Sequence, residues 1–327
     1  MSVVATRLAH AVAVVFAAYS VSFFLLFVLP GDAVLARIGT TDTIGQADIS
    51  DLNLDALRTE VGLNDSLWRQ YFDGITGLLH GDLGRSLVND RPVTELLGEA
   101  LPNTLALAGL SLVVSVPLGL LIAVLAVNPR SRAIRSLASL APSAYVSLPV
   151  FWIGILFIYV FSITLGWFPS GGSQSASALV LPTAVLGLLG AAQFAQVLIS
   201  GLRTEIGTTY AAVTAPAKGA GRFYTLVRHC LRNAAFPFLA VFGLRVGMLL
   251  GGTVVIEVVF SRSGIGRLMV DSVKSVDLTV VLGLVVVLAL VFVVINALVD
   301  IGYALLDPRL RRQSAVEGAA QNQEISS

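Results

Sequence analysis

Residues 136–202 read SLASLAPSAYVSLPVFWIGILFIYVFSITLGWFPSGGSQSASALVLPTAVLGLLGAAQFAQVLISGL, a run of 67 residues without Asp, Glu, Lys or Arg. A membrane-crossing helix needs roughly 20 apolar residues, because the hydrocarbon core is about 30 Å thick. This run is too long for one such helix and suits two, divided by the polar, glycine-rich segment 166–177 (GWFPSGGSQSAS). We therefore predict spans near Leu137–Phe161 and Leu179–Leu202.

The composition of the whole chain agrees with a membrane protein. Of the 327 residues, 56% are hydrophobic and 13% are charged, and the mean hydropathy is +0.85. A soluble domain carries about 25% charged residues, so this chain has too few charged residues to cover the surface of a globular domain. This composition excludes a water-soluble enzyme. Further apolar stretches predict the remaining spans, at Leu8–Leu29, Leu101–Val127, Ala234–Phe260 and Leu278–Leu306. The prediction is an all-α integral membrane protein with six transmembrane helices.

The distribution of Lys and Arg predicts the orientation of these helices. With the N-terminus inside, twelve of the 21 basic residues fall on the cytoplasmic side, eight fall outside, and Arg245 lies within a span. Because short cytoplasmic loops are enriched in Lys and Arg, we expect both termini to be cytoplasmic. We also expect Leu8–Leu29 to be a retained helix. The alternative, a cleaved signal peptide, has a shorter apolar region of about 7–15 residues and an A-x-A-like site.

The predicted outer loop, about Pro30–Ala100, contains one amphipathic helix. Asp65 or Ser66 can cap this helix, and its apolar residues recur at helical spacing: Leu67, Trp68, Tyr71, Phe72, Ile75, Leu78 and Leu79. Two interpretations stay open. The helix is either a packed cap over the outer ends of the bundle or a docking surface for an external partner.

The cytoplasmic stretch Arg203–Asn233 reads as a helix, a glycine-rich turn at Gly219–Gly221, and a second helix. Five basic residues stand against one acid, Glu205. The stretch is either a passive loop that carries the positive-inside charge or a docking element for a cytosolic protein.

Polar residues inside the spans are candidates for an aqueous path, because ionisable groups at bilayer depth usually face protein or water. The candidates are Asn103, Gln193, Gln196, Ser200, Arg245 and Glu257. Gln193, Gln196 and Ser200 share one helical stripe with Arg203, for which interhelical hydrogen bonding is an equal alternative. Glu257 and Asp300 lie near helix ends, where an interfacial location is equally open. Gly243, Gly247 and Gly251 recur every fourth residue, which predicts close helix packing.

Several chemistries have no motif in this sequence. It contains no G-x-x-x-x-G-K-[ST] phosphate loop, no G-x-S-x-G and no pair of histidines at metal-binding spacing. Its single cysteine, Cys230, cannot form an internal disulfide. We therefore expect no catalytic residue, no metal site and no cofactor in this chain, and no nucleic-acid partner.

An ordered set of motifs resembles a known family, the B-type permease subunits of dipeptide/oligopeptide ABC importers. The similarity extends from Leu8 to Arg312. The motifs are Leu29-Pro30-Gly31-Asp32, Gly81-Asp82-Leu83-Gly84-Arg85-Ser86, Leu101-Pro102-Asn103-Thr104, Pro149-Val150-Phe151-Trp152-Ile153-Gly154, Leu165-Gly166-Trp167-Phe168-Pro169, Ala217-Lys218-Gly219 with Arg228-His229 and Leu231-Arg232-Asn233, Glu257-Val258-Val259-Phe260-Ser261 with Gly264-Ile265-Gly266-Arg267, and Leu305-Leu306-Asp307-Pro308-Arg309.

The resemblance implies a type I ABC importer permease with the MetI-like fold. In such proteins the cytoplasmic loop seats in a groove on the ATPase, and Gly219 corresponds to the glycine of the loop motif. The resemblance thus implies ATPase coupling for Thr214, Ala215, Pro216, Ala217, Lys218, Gly219, Ala220, Gly221, Arg222, Arg228, His229, Arg232 and Asn233. Two positions depart from the motif. Val213 occupies the place of its glutamate, and Pro216 should kink or restart a helix.

The resemblance also implies the partners and the location. The partners are a homologous C-type permease, two cytosolic ATPases that bind ATP and Mg²⁺, an extracytoplasmic peptide-binding protein and short peptides. The location is the bacterial cytoplasmic membrane. The alternatives are another cargo, such as nickel, glutathione or another small solute, and a secondary transporter that works alone. The expected parts are 1–29 (first helix), 30–100 (outer loop), 101–306 (five-helix core with coupling loop 203–233) and 307–327 (a polar tail).

Overall fold

The structure is a computed structural model that describes residues 3–28, 66–128, 131–207, 217, 219 and 221–306. The regular structure of these residues is helical, apart from one isolated antiparallel bridge between Arg85 and Pro92, and turns and loops join the helices. The helices are α1 (Val3–Val28), α2 (Leu67–Leu79), α3 (Val93–Val127), α4 (Arg132–Val146), α5 (Val150–Phe157), α6 (Val180–Ile206), α7 (Arg222–Thr225), α8 (Leu231–Val259), α9 (Ile265–Lys274) and α10 (Leu278–Leu306).

Four of the predicted spans are single helices. The helices α1, α3, α6 and α10 are each long and apolar enough to cross a membrane. The bounds of α6 and α10 lie within a few residues of the predictions, because continuous apolar sequence of this length is a local property of the chain. In contrast, α1 and α3 begin five and eight residues earlier than predicted. With two further bent pairs, described next, up to six spans are present among the described residues.

The predicted single span near Leu137–Phe161 is wrong in its shape. The chain there forms two helical halves. The first is α4, and the second is α5 continued by a π-helical turn (Ile158–Thr164). The axes of the two halves differ by 106° across Ser147–Pro149. Pro149 has no backbone N–H and disfavours a helical residue before it, so α4 ends and α5 begins with Pro149 as its N-cap. Neither half reaches the roughly 20 residues that a straight crossing needs.

The predicted fifth span is also bent. Helix α8 changes direction by 51° between its parts 241–247 and 251–259. Two of the three evenly spaced glycines flank this bend, in accord with glycine as a cause of helix kinks. A Cβ atom on Gly247 would lie 2.9 Å from the ring of Phe292 on α10, so this glycine permits the close packing that the spacing predicts.

Helix α3 begins earlier than predicted. Pro92 is its N-cap and Val93 its first residue, so the last turns of the predicted outer loop 30–100 belong to α3. The helix has 35 residues and is about 52 Å long at 1.5 Å per residue. It therefore extends beyond a hydrocarbon core of about 30 Å, and its first turns pack against α9 and α10 through Leu96, Leu97 and Ala100.

The centre of the bundle is the contact between α3 and α6, which is lined by small residues. Ser115 Oγ donates to the Gly187 carbonyl at 3.0 Å, and a Cβ atom on Gly190 would lie 2.3 Å from that same hydroxyl. In a membrane, small residues let helix backbones approach closely enough for dispersion and hydrogen bonds to hold them together. The pairing of α3 with α6 thus forms the frame on which the other helices pack.

Several predictions lie outside the described residues. They are the Leu29–Asp32 motif, the remainder of the outer loop up to residue 65, the coupling residues Thr214, Ala215, Pro216, Lys218 and Ala220, and the tail 307–327. The side chains of Arg222, Arg232, Asn233 and Asp300 also lie outside them.

Candidate functional site

The second half of the predicted coupling loop is anchored to the bundle. From Arg222 the chain runs through α7, a π-helical turn (Leu226–Cys230) and α8 without a break. Leu226 and Cys230 are buried in one cluster with Ala126 of α3 and Leu198 and Leu202 of α6. Burial raises the pKa of the Cys230 thiol, so this cysteine serves as an apolar packing residue. The segment is therefore fixed to the inner ends of the two central helices.

The opposite face of the same segment is open and aromatic. Phe223 is 59% exposed and Tyr224 is 57% exposed, and Val227 and Arg228 are exposed beside them. The ring of Tyr224 lies 6.0 Å from the imidazole of His229. Arg228 and His229 were predicted for this surface, whereas Phe223, Tyr224 and Val227 were not. The available signal in the sequence was the pair of aromatic residues close to the Arg228-His229 motif, since exposed aromatic side chains mark interaction surfaces.

Gly219 forms the corner that precedes this segment. Its φ is +78°, a conformation that glycine adopts freely and that other residues adopt at a cost. A Cβ atom there would meet nothing within 4 Å, and the same is true at Gly221, so backbone conformation alone distinguishes the two glycines. Ala217 is helical and exposed, and Gly221 accepts a 2.9 Å hydrogen bond from the Thr225 amide. The glycine turn and the helix after it are therefore present at the described positions, whereas residues 208–216, where the first helix is predicted, lie outside the described residues.

The predicted polar stripe of α6 runs along the serines of α4. Gln196 Nε2 lies 3.5 Å from Ser143 Oγ, and Arg203 Nη2 donates to Ser139 Oγ at 2.9 Å. Of the two interpretations of this stripe, interhelical hydrogen bonding applies to Gln196 and Arg203. Ser200 is exposed, and Gln193 Oε1 is buried without a hydrogen-bond partner among the described residues.

Glu257 is buried in a packed contact, which we call the outer corner: the junction of α3, α8, α9 and residues 171–173. The side chain is 1% exposed. Its carboxylate accepts hydrogen bonds from Thr104 Oγ1 at 2.6 Å and from the Gly266 amide at 2.7 Å. Thr104 Oγ1 in turn accepts from the Ile265 amide at 2.8 Å. Glu257 therefore joins three helices, and in this conformation it does not line open space as the path prediction requires.

The remaining contacts of the outer corner come from the loop after α5. Arg262 is 2% exposed and donates from Nη1 to the Gly172 carbonyl at 3.1 Å, while the Ser263 amide donates to Ser173 Oγ at 2.9 Å. Burial lowers the pKa of the Arg262 guanidinium, and the nearby Glu257 carboxylate opposes this shift. Asn103 Nδ2 donates to the Ser263 carbonyl at 2.9 Å, so it belongs to the same junction.

The six path candidates thus fall into separate groups. Asn103 and Glu257 meet at the outer corner, whereas Gln193, Gln196 and Ser200 lie on α6. Arg245 is half-buried in the middle of α8, and among the described residues it makes no hydrogen bond or ion pair. No hydrogen bond or ion pair between described residues joins the three groups, so the six candidates do not form one polar cluster among the described residues.

The motif Gly81–Ser86 also holds the outer side of the bundle together. Asp82 Oδ1 accepts from the Gly84 amide at 2.8 Å, which closes the turn, and Ser86 Oγ donates to the carboxylate of Asp277. Asp277 precedes α10, is 3% exposed, and also accepts from the Leu87 amide at 3.1 Å. The motif residues therefore tie the chain between α2 and α3 to the start of α10.

The chain is an apolar helical bundle that exposes aromatic and basic side chains beside the inner ends of its two central helices, an architecture suited to a membrane permease of a transport system. The chain belongs to the family described as "Binding-protein-dependent transport system inner membrane component". The sequence profile of that family matches residues 115–312, and the profile of its N-terminal region matches residues 1–108. The protein is thus a permease component of an ABC importer in the inner membrane, with several membrane-spanning helices.

Named relatives cover nearly the whole chain. A protein of Brucella abortus (strain 2308), whose name gives it as a predicted peptide transport system permease, is 35% identical over 93% of this chain and 97% of its own length. The "Glutathione transport system permease protein GsiC" of Escherichia coli (strain K12) is 34% identical over 88% of this chain and 92% of its own length.

Solved structures with similar folds are ABC transporters. The MetNI methionine ABC transporter in an inward-facing conformation has a TM-score of 0.51 and 20% identity, and the match covers 65% of this chain and 96% of that chain. An amino acid ABC transporter crystallised with histidines has a TM-score of 0.52 and 17% identity, with 64% and 92% covered. At these identities the likeness establishes the fold, which is the MetI-like fold implied by the motifs.

Proposed function

We propose that this chain is a transmembrane permease of an ATP-driven importer for di- and oligopeptides. In this proposal it forms the translocation path together with a homologous second permease. Two cytosolic ATPase chains bind ATP and Mg²⁺ and supply the energy, and an extracytoplasmic binding protein delivers the peptide. Alternating access follows, because closure of the ATPases shifts the bundle between inward-open and outward-open states.

The observation that carries the coupling role is the two-sided segment Arg222–Cys230. One face packs between the inner ends of α3 and α6, and the other face exposes Phe223, Tyr224 and Arg228. Aromatic and Arg side chains are the residues that most often dominate the energy of protein interfaces. A force applied by a partner to the exposed face therefore reaches the two central helices through a packed contact rather than through a flexible loop.

Peptide cargo is supported by the named relatives and by the path candidates. One relative is named for peptides and another for glutathione, itself a modified tripeptide. The six path candidates of this chain are three amides, one hydroxyl, one Arg and the Glu257 carboxylate. The amides, the hydroxyl and the Arg can hydrogen-bond a peptide backbone and a carboxylate without selecting particular side chains. Selection of the cargo then falls to the binding protein. In this arrangement the permease needs only a wide, weakly selective path.

Reconstitution tests this proposal. The chain, its second permease and the ATPases are placed in liposomes with the binding protein, and uptake of a radiolabelled dipeptide and tripeptide is measured with glutathione and Ni²⁺ as competing cargoes. We expect uptake of peptides that requires internal ATP. Peptide uptake driven by an ion gradient, by this chain without ATPase, would instead support the lone secondary transporter. ATP-dependent uptake of Ni²⁺ alone would overturn the peptide assignment.

A second prediction concerns the exposed aromatic residues Phe223 and Tyr224 and their role in binding the ATPases. Replacing Phe223 or Tyr224 with alanine should weaken the association of the permease with the ATPases by roughly thirtyfold, since interface hot spots contribute about 2 kcal/mol or more. Affinity is measured by titrating labelled ATPase into permease held in nanodiscs. Ile134→Ala is the matched control, because Ile134 is an exposed apolar residue of α4 on the same side of the membrane. Equal affinities for all variants would contradict the coupling role of this face.

A further inference from the structure

Helix α2 lies beside the first membrane span rather than above it. Its N-cap is Ser66, one of the two residues predicted for this role, and the Ser66 side chain accepts a hydrogen bond from the Arg69 amide. Trp68 contacts Phe24 of α1, with ring centroids 5.8 Å apart, and Gly74 lies against the hydroxyl of Tyr19. The two helices therefore run antiparallel. Both contacts fall within the apolar stretch Ala9–Leu26 of α1, so α2 lies at the level of the outer part of a span.

One face of α2 is fixed by buried contacts. Tyr71 packs with Tyr19 and Phe23 of α1 and with Val286 of α10. The Tyr19 hydroxyl donates to the Tyr71 carbonyl at 3.2 Å, and the Tyr71 hydroxyl lies 2.7 Å from Ser20 Oγ. This face agrees with the interpretation of α2 as a packed element of the bundle. These contacts also fix the rotation of α2 about its own axis.

A second apolar face of α2 is uncovered. Trp68 is 63%, Phe72 58% and Leu79 79% exposed, and their spacing places them on one stripe. The polar residues Arg69, Gln70, Asp73 and Thr76 occupy the remaining side, where Arg69 and Asp73 form an exposed pair at 3.8 Å. The helix thus has a buried apolar face, an exposed apolar face next to it, and a polar face opposite.

The exposed stripe continues an exposed apolar surface of α1. Val21 and Leu25 of α1 are exposed, as expected for a span at the edge of a bundle, and Phe24 between them touches Trp68. Trp and Tyr concentrate at the level of the lipid headgroups, because one part of the ring system is apolar and another can hydrogen-bond. Trp68, which is exposed on the stripe, is therefore a residue of the kind found at the level of the headgroups.

We infer that α2 is an interfacial helix that lies in the outer leaflet of the bilayer. Its Trp68–Phe72–Leu79 stripe is buried among acyl chains, and its Arg69–Asp73 side faces water. A helix with this division of faces places its apolar side among lipid and its polar side in water. The occupant of the uncovered face is thus lipid, and the helix holds α1 at a set depth against α10. This inference does not depend on which cargo the importer carries.

Site-directed spin labelling tests this inference. Phe72→Cys and the adjacent Asp73→Cys are each labelled with a nitroxide in a Cys230→Ala background, and the importer is assembled with cysteine-free partner chains in proteoliposomes. Collision with oxygen, which concentrates in lipid, is compared with collision with a water-soluble nickel chelate. We expect the logarithm of the oxygen-to-nickel ratio to be positive at position 72 and negative at position 73. Trp68→Cys and Leu79→Cys repeat the test if one variant fails to assemble.

Two results would overturn the inference. Strong collision of the position-72 label with the nickel chelate would mean that the stripe faces water. An immobilised label that neither reagent reaches would mean that another protein chain covers the stripe, which is the docking interpretation of this helix. A change of sign between the neighbouring positions 72 and 73 fits the interfacial helix and neither of these alternatives.

Discussion

Replacing Gly219 with proline is expected to abolish transport while the chain still inserts and assembles. Gly219 has a φ of +78°, and the proline ring holds φ near −65°, so the corner between the two parts of the coupling loop cannot form. We expect the rate of ATP-dependent uptake in proteoliposomes to fall by roughly tenfold or more, because a left-handed residue with a side chain already costs about 1–2 kcal/mol. Uptake and ATPase activity stimulated by the binding protein are measured together.

Two control variants separate backbone conformation from the mere loss of glycine. Gly219→Asn should keep most of the transport, because asparagine tolerates the left-handed region. Gly221→Ala should be silent, since its φ is not positive and a Cβ atom there meets open space. Wild-type uptake by the Gly219→Pro importer would refute the assignment of this corner to coupling. Equal loss in all three variants would also refute the conformational argument.

Replacing Glu257 with alanine is expected to unfold the outer corner. The change leaves the Thr104 hydroxyl and the Gly266 amide buried without their acceptor. An unsatisfied buried donor costs about 1–3 kcal/mol, so the free energy of unfolding should fall by roughly 2–6 kcal/mol. The melting temperature of the purified chain in detergent, followed by tryptophan fluorescence, measures this loss.

Glu95→Ala is the matched control, because Glu95 is a half-exposed carboxylate on α3 whose partner, Arg91, also contacts Glu99. Its removal should change stability by less than about 1 kcal/mol. The experiment also separates the two roles considered for Glu257. A variant with normal melting behaviour and a selective loss of peptide uptake would restore Glu257 to the translocation path and contradict the anchoring role.

The spans were predictable because each depends on a continuous stretch of sequence. Leu278–Leu306 was predicted with the bounds that α10 has, and α6 differs from its predicted span by a few residues. The third span was predicted without its bend. Pro149 was visible, but a proline limits only the local backbone. The 106° angle comes from the packing of α4 along α6, where Tyr145 donates to the Val185 carbonyl at 3.1 Å.

The sequence predicted the motif residues of the candidate site, but it did not predict which of its side chains are exposed. Gly219 was identified from the motif, and its left-handed conformation accords with a turn. The exposed pair Phe223 and Tyr224 was missed, because the sequence does not say which face of a nine-residue segment packs against distant helices. Leu226 and Cys230 decide that face by their burial against α3 and α6.

The sequence by itself determined the class of protein, the approximate span positions, the predicted orientation and the family, since all of these depend on apolar length, charge position or local motifs. Only the tertiary structure decided that Glu257 is buried, that α4 turns against α6, and that α2 lies along α1. Each of these rests on contacts between residues far apart in the chain, such as Thr104 with Glu257 and Tyr19 with Tyr71. Pairings of this kind are selected by the fit of whole helices, which no single stretch of sequence encodes.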